Sequence, residues 1–273
     1  KKQMKKRVVV TGLGAVTPIG NTAEDFWKGL IAGQSGIGRI TQIDTDEFPV
    51  KISAEVKNFD PAEYMKPKDA RRNDIFVHFA CAASQMAHAD AHVDIDACDP
   101  YRCGVLIGSG IGGLRVTETQ HQILLKKGPS RISPFMIPML ICNIASGIVA
   151  INHNFKGPNN CAVTACASGT HAIGDAFKII QRGDADIMLA GGSESCVTDL
   201  GLGGFCAMKA LSTRNDEPEK ASRPFDKERD GFIMGEGSGI LILEELEHAK
   251  KRGARIYAEI VGYGMSCDAY HIT

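Results

Sequence analysis

Apolar runs with little polar alternation recur along the chain, and most lead into stretches with helical spacing. Residues 7–14 (RVVVTGLG), 102–110 (RCGVLIGSG), 159–165 (NNCAVTA) and 185–195 (ADIMLAGGSES) read as strands. Continuous apolar runs of this length suit strands covered on both faces. A helix is predicted after Thr22, with Asp25 three residues on as a weak capping signal. Residues 73–90 (NDIFVHFACAASQMAHAD) read as a long Ala-rich helix. Residues 237–253 (GSGILILEELEHAKKRG) read as a strand, then a short helix with Gly253 as its cap, and residues 256–264 (IYAEIVGYG) as one more strand. The alternation predicts an α/β architecture. The polar segment 212–231 is long for a loop, and such loops tend to carry function or cover a site.

The fragment CASGTHAIGDA (166–176) breaks the usual pattern of an amphipathic helix, because bulk is nearly absent on every face. Small residues all round predict a helix surrounded closely by other elements. Cys166 stands where the preceding strand turns into this helix. Free N–H groups and the positive end of the helix dipole favour a thiolate at such a position. Most cysteines are small core residues. The strand-turn-helix setting separates Cys166 from the other eight and resembles the logic of a nucleophile elbow. His171, five residues on, lies about 140° around the helix from Cys166, so a structural role is expected for it.

Composition narrows the choice. The chain has 273 residues, 44% hydrophobic and 23% charged, with a net charge of −1. That is enough to bury a sizeable core, and it implies no global attraction to polyanions. Nine cysteines without a C-x-x-C pair argue against a disulfide framework or a zinc site and favour a reducing compartment. No stretch has the length of a membrane span, and the apolar run after the basic lead is too short for a signal peptide, so Met4 reads as a native start. The opening VVVTGLGAVTPIG contains G-x-G, but the third fingerprint position is Thr17, followed by Pro18. A nicotinamide-cofactor site is therefore not expected.

Several segments together are specific: VVVTGLGAVTPIGN, GSGIGGL, GPSRISPFMIP, TACASGTHAIGDAF, ADIMLAGGSE, ALSTRND, ASRPFDKERDGFIMGEGSG and EELEHAKKRGARIYAEIVGYGMSCDAYHIT. The sequence resembles the β-ketoacyl-[acyl carrier protein] synthases, in particular their synthase II branch. The resemblance implies a thiolase-like fold, a layered α-β-α-β-α sandwich of two similar halves. Residues 1–254 would form the first half with its insertions, and 255–273 the first strand and loop of the second. The implied activity is decarboxylative condensation of malonyl-[acyl carrier protein] with a cysteine-bound acyl chain, in fatty-acid elongation. Cys166 would be the acyl acceptor and a backbone oxyanion donor. Ile111, Met136 and Phe205 would bound the acyl pocket, Met136 reaching it from the other subunit. Lys68, Arg71, Arg72, Arg131 and Lys209 would meet the acidic carrier protein, with Ser130 where relatives carry a further arginine. The resemblance implies no cofactor and no metal, a homodimer paired through residues 159–165, no nucleic-acid or membrane partner, and a cytoplasmic location.

The family's enolate-binding histidines lie in His-Gly-Thr and Gly-His-x-x-Gly motifs, and neither motif occurs here. The histidines are 78, 88, 92, 121, 153, 171, 248 and 271. The resemblance covers about the first two thirds of a family member, so the chain reads as part of a longer protein, and these residues alone are expected to be inactive. A synthase I-type enzyme and a non-catalytic chain-length-setting partner are alternatives. The latter type lacks the cysteine that is present here.

Overall fold

Three of the four apolar runs, at Val8–Val16, Cys103–Gly108 and Ile187–Glu194, form strands buried on both faces, and residues 159–165 do not. The computed structural model describes residues 5–271, so Met4 and the final two residues lie outside the described residues. The strands are β1 (Val8–Val16), β2 (Gly38–Arg39), β3 (Ile52–Ser53), β4 (Cys103–Gly108), β5 (Asn159–Asn160), β6 (Ile187–Glu194), β7 (Gly237–Glu245) and β8 (Ala258–Ile260). The helices are α1 (Ala23–Ile31), α2 (Pro67–Ala70), α3 (Ile75–Ala91), α4 (Leu114–Lys127), α5 (Met136–Leu140), α6 (Ile144–His153), α7 (Ser168–Arg182), α8 (Asp199–Ala207) and α9 (Leu246–Lys251). One sheet runs β5-β4-β6-β7-β1-β8, and β2 pairs separately with β3. β4 is parallel to β5 and β6, whereas β7 and β1 run antiparallel to their neighbours.

Period-two alternation divides the apolar side chains between two cores. Val105, Ile107, Ile187, Leu189, Ile240 and Ile242 face α3 and α6. Leu106, Met188, Ala190 and Leu243 face α7, through Ala172, Ala176, Phe177 and Ile180. The result is a helix layer, a sheet and a second helix layer. The G-x-G of β1 serves this packing. A Cβ on Gly12 would stand 2.2 Å from Ala87 O, and one on Gly14 would stand 1.9 Å from Ala83 O. These glycines let α3 lie directly on the strand backbone. Thr22 caps α1, its side chain accepting from Asp25 N, and Gly253 follows α9 at φ +67.

Three expectations need correction. The ladder of residues 159–165 extends only over Asn159–Asn160, because this is an edge strand whose partner β4 pairs through Val105 and Leu106 alone. The strand of residues 256–264 is likewise short, Ala258–Ile260 at the opposite edge, paired only with β1. The cysteine helix is not enclosed all round. Its sheet-facing side is buried, and Thr170 and the turn before it are exposed.

Glu244, fully buried, ties four elements together. It accepts from Thr11 Oγ1 at 2.8 Å, and from Arg252 Nε and Nη2 at 2.7 Å each. Its other contact is His248 Nδ1 at 2.6 Å, and Arg252 also donates to Ala91 O at the end of α3. Burial alone would raise this carboxyl's pKa, but these partners together hold it below the ordinary value.

His88 of α3 and His153 of α6 pack with ring centroids 4.6 Å apart, and each has a buried Nε2 without a hydrogen-bond partner. Burial lowers both pKa values, with Arg252 adding to the effect on His88. His153, also facing His88, falls to about 4. The unfolded chain therefore binds more protons than the folded one between pH 6.5 and about 4, and this contribution to stability is lost as pH falls through that window. Asp74, pushed up to about 6 by burial, works in the opposite sense, so the test must be differential. His153→Phe should gain stability relative to the unchanged protein as pH drops from 6.5 to 4, by at most about 3 kcal/mol. Urea unfolding of both at several pH values measures it, and parallel profiles would refute the assignment.

Candidate active site

The parallel strands β4 and β6 end side by side, and the turn into α7 lies across their carboxyl ends. Cys166 sits in a 3-10 turn, Ala165–Ala167, and the α-helix proper begins at Ser168. The cysteine therefore precedes the helix by two residues, where it was expected to begin it. Ala165 has φ +51, a left-handed conformation that is costly for a residue with a side chain. Buried Ser168 holds the turn. Its Oγ donates to Ala165 O at 2.7 Å and accepts from Thr164 N at 2.8 Å. His171 Nδ1 lies 2.7 Å from Thr164 Oγ1, which gives this histidine the structural place expected of it.

Two glycines bring α7 onto the strands. A Cβ on Gly108 of β4 would stand 2.3 Å from Ser168 O, and one on Gly192 of β6 would stand 2.9 Å from Gly169 Cα. Of the nine cysteines, all among the described residues, only Cys166 and Cys267 are exposed. Burial pushes Cys81, Cys103 and Cys196 up to about 12, which leaves them as inert thiols at neutral pH.

Ile111 follows β4 and packs, with Phe205 of α8, against a cluster containing Cys196, Val197 and Leu202. Phe205 also meets Phe232 edge-on at 5.2 Å. Met136 begins α5 and does not join this cluster. α5 reaches the loop instead through Met139 and Leu140, whose backbones lie against Gly113. Among the basic candidates, Lys68 lies on α2 and Arg71 ends it, both exposed. Arg72 stacks over Phe135 at 4.3 Å, which joins this segment to the one bearing Arg131. Exposed Lys209 follows α8, and α8 is tied to α4 by Leu200 N donating to Glu118 at 2.6 Å. The polar loop of residues 212–231 is pinned at its base, where Thr213 N donates to Asp230 at 3.0 Å.

Sequence reasoning did not single out Ser168, Gly108, Gly192 or Glu194. Glu194 ends β6 as a half-buried carboxylate that holds the loop carrying Ile111, and its partial burial raises its pKa against the opposing pull of its donors. The Gly-Gly pair inside an otherwise apolar strand was the available signal for close backbone approach. No group of three or more metal-ligating side chains occurs among the described residues.

A cysteine on a strained turn, laid across the ends of two parallel strands, marks this chain as a thiolase-fold ketosynthase half, the class its solved neighbours give it. Residues 5–249 match the sequence model of the family described as "Beta-ketoacyl synthase, N-terminal domain", and the chain belongs to that family. The 3-oxoacyl-[acyl-carrier-protein] synthase 2 of Synechocystis sp. is 61% identical over 98% of this chain and 65% of its own length. A crystallised β-ketoacyl synthase from Burkholderia phymatum is 36% identical with a TM-score of 0.89, covering 98% of this chain and 66% of that one. A type II polyketide ketosynthase, AntDE, solved with its acyl-carrier protein AntF, is 36% identical with a TM-score of 0.84, covering 98% and 65%. The chain thus spans about 65% of the length of the curated relatives it matches.

The glycine contact can be tested directly. Gly108→Ala in a full-length protein should lower stability by about 2 kcal/mol and slow alkylation of Cys166 by iodoacetamide, because the methyl meets backbone and the helix start must move. An unchanged melting temperature and alkylation rate would show that the contact has slack.

Proposed function

We propose that the protein containing these residues condenses malonyl-[acyl carrier protein] with an acyl chain held on Cys166, giving 3-oxoacyl-[acyl carrier protein] in fatty-acid elongation. The observation that carries this reading is the exposed Cys166 thiol on its strained turn before a helix buried on its sheet-facing side. The relatives named 3-oxoacyl-[acyl-carrier-protein] synthase 2 support it. In the first step the Cys166 sulfur attacks the acyl thioester carbonyl, and the carrier's thiol departs with a proton. Malonyl-carrier protein then loses CO2, and the released electron pair becomes an enolate. The enolate carbon attacks the acyl-cysteine, a carbon–carbon bond forms, and the Cys166 thiolate leaves. Covalent capture divides one hard step into two easier ones. The Cys166 backbone N–H is the proposed oxyanion donor, a role worth about 3 kcal/mol in comparable sites.

Ile111, Phe205 and, from a partner subunit, Met136 are proposed to bound the acyl pocket. Lys68, Arg71, Arg72, Arg131 and Lys209 are proposed to meet the carrier protein, and a related ketosynthase solved with an acyl-carrier protein supports that kind of partner. A homodimer through β5 is supported by its open edge and by the exposed apolar side chains Ile137, Ile151 and Val163. A cytoplasmic location is supported by nine free thiols, and no helix among the described residues is long and apolar enough to cross a membrane. The division near residue 254 into a first half and the start of a second belongs to the same reading.

Incubating a full-length protein with acyl-carrier protein should place an acyl adduct on Cys166, seen by mass spectrometry, and Cys166→Ala should abolish it. Residues 1–273 alone should give no 3-oxoacyl product, since none of their histidines lies in an enolate-binding motif. An adduct persisting in the alanine variant would overturn the assignment.

Rim charges act chiefly on association rate and salt dependence. Lys68→Glu with Arg71→Glu should raise the KM for carrier-bound substrates about tenfold and spare the reaction with a small acyl thioester. An unchanged KM would remove these residues from the docking patch.

A further inference from the structure

The end of β6 and the loop after β4 meet at one carboxylate. Glu194 Oε1 accepts from Ser109 Oγ at 3.0 Å, and Oε2 accepts from Gly110 N at 2.7 Å and Ile111 N at 3.1 Å. Gly112 N in turn donates to Ser109 Oγ at 3.1 Å. Four successive residues thus hang on one side chain. No ion pair to Glu194 is found among the described residues, so its charge is balanced by neutral donors alone.

Gly110 has no room for a side chain between the carboxylate and the turn. A Cβ there would stand 2.9 Å from Glu194 Oε2 and 3.3 Å from Ala165 Cα and O. Ala165 is the strained residue immediately before Cys166. The loop therefore cannot move away from the carboxylate without breaking these hydrogen bonds. Such bonds are stronger than neutral ones, and leaving their donors unmet in a buried place is costly. The next side chain along the loop is Ile111, which packs in the Phe205 cluster.

We propose that Glu194 is the positioning residue that fixes the Ile111 loop against the nucleophile turn, and so sets which acyl chain lengths Cys166 accepts. The inference rests on Cys166 being the acyl acceptor. It rests likewise on Ile111 bounding the acyl pocket. With the loop backbone anchored, the Ile111 side chain keeps its place in the Phe205 cluster; with the anchor gone, the loop shifts, Ile111 moves with it, and long chains suffer first.

The test uses a full-length protein and measures Cys166 acylation by short-chain and long-chain acyl-carrier protein, with iodoacetamide alkylation as a measure of the thiol itself. Glu194→Met keeps the volume and removes the acceptors. It should raise KM for the long chain about tenfold relative to the short one, with alkylation unchanged within about twofold. Glu194→Gln should rescue selectivity, because its carbonyl can accept from Gly110 and Ile111 while its amide donates to Ser109 Oγ. If Glu194→Met does not fold, Ser109→Ala removes one donor and should shift the same ratio by about threefold. A parallel loss for both chain lengths would reduce Glu194 to a structural role and overturn the proposal, as would a Gln variant matching Met. A parent protein with no adduct on Cys166 would instead overturn the functional reading, so the two failures are distinguishable.

Discussion

The first turn of α7 rests on strand backbone with no side chain between, and the arrangement of the site depends on that approach. Gly108 and Gly192 leave room for Ser168 and Gly169 where any Cβ would collide. Only then can Ser168 lie buried at the strand ends and bond both Ala165 O and Thr164 N. Those bonds hold Ala165 at a positive φ whose penalty is on the order of 1–3 kcal/mol. A strained turn relaxes unless its surroundings over-determine it. Here a rigid six-stranded sheet does so from below, and a buried hydroxyl does so from within.

Buried and half-buried carboxylates divide the labour by the kind of partner they are given. Glu244, far from the site, is met by Arg252 and His248, and the arginine holds it ionised and ties α9, β7, β1 and α3 into one body. Glu194 and Glu236, near the strand ends, are met by hydroxyl, amide and backbone donors. Desolvation raises both carboxyls, and the neutral donors only partly offset it. Neutral donors are short, directional and fixed to the backbone. They therefore locate a loop more tightly than a long cationic side chain would, which suits a place where position matters more than binding strength.

What was legible in the sequence was local. The runs VVV, GVLI and IMLA declare strands covered on both faces, because their side chains alternate between two apolar cores. The strand-turn-helix setting of Cys166 was legible because small residues follow a strand-like run directly. Thr22 and Gly253 marked helix ends through capping chemistry that needs only neighbours. The pairing between distant segments was not legible. Ser168 looks like any serine until Ala165 and Thr164 fold back on it, and Glu194 looks like a strand-end surface charge until residues 109–111 arrive 84 positions away. The edge strands were overestimated for the same reason, since the length of a ladder is decided by its neighbour.

Exposure then separates the chemistry of one cysteine from that of its neighbours. Cys196 lies in the apolar cluster that holds Ile111 and Phe205, where desolvation strongly disfavours the thiolate. Cys166 projects from the turn above it, outside that apolar environment. The difference in side-chain setting comes from the backbone. Two bare glycines lower the helix onto the sheet, one serine locks the turn, and the turn lifts a single sulfur clear of the core. Substituting the cysteine would remove the sulfur and leave this scaffold standing, whereas substituting a supporting glycine would keep the sulfur and misplace it. The position of this thiol accordingly depends on the contact between Gly108 and Ser168 as much as on the residue that carries it.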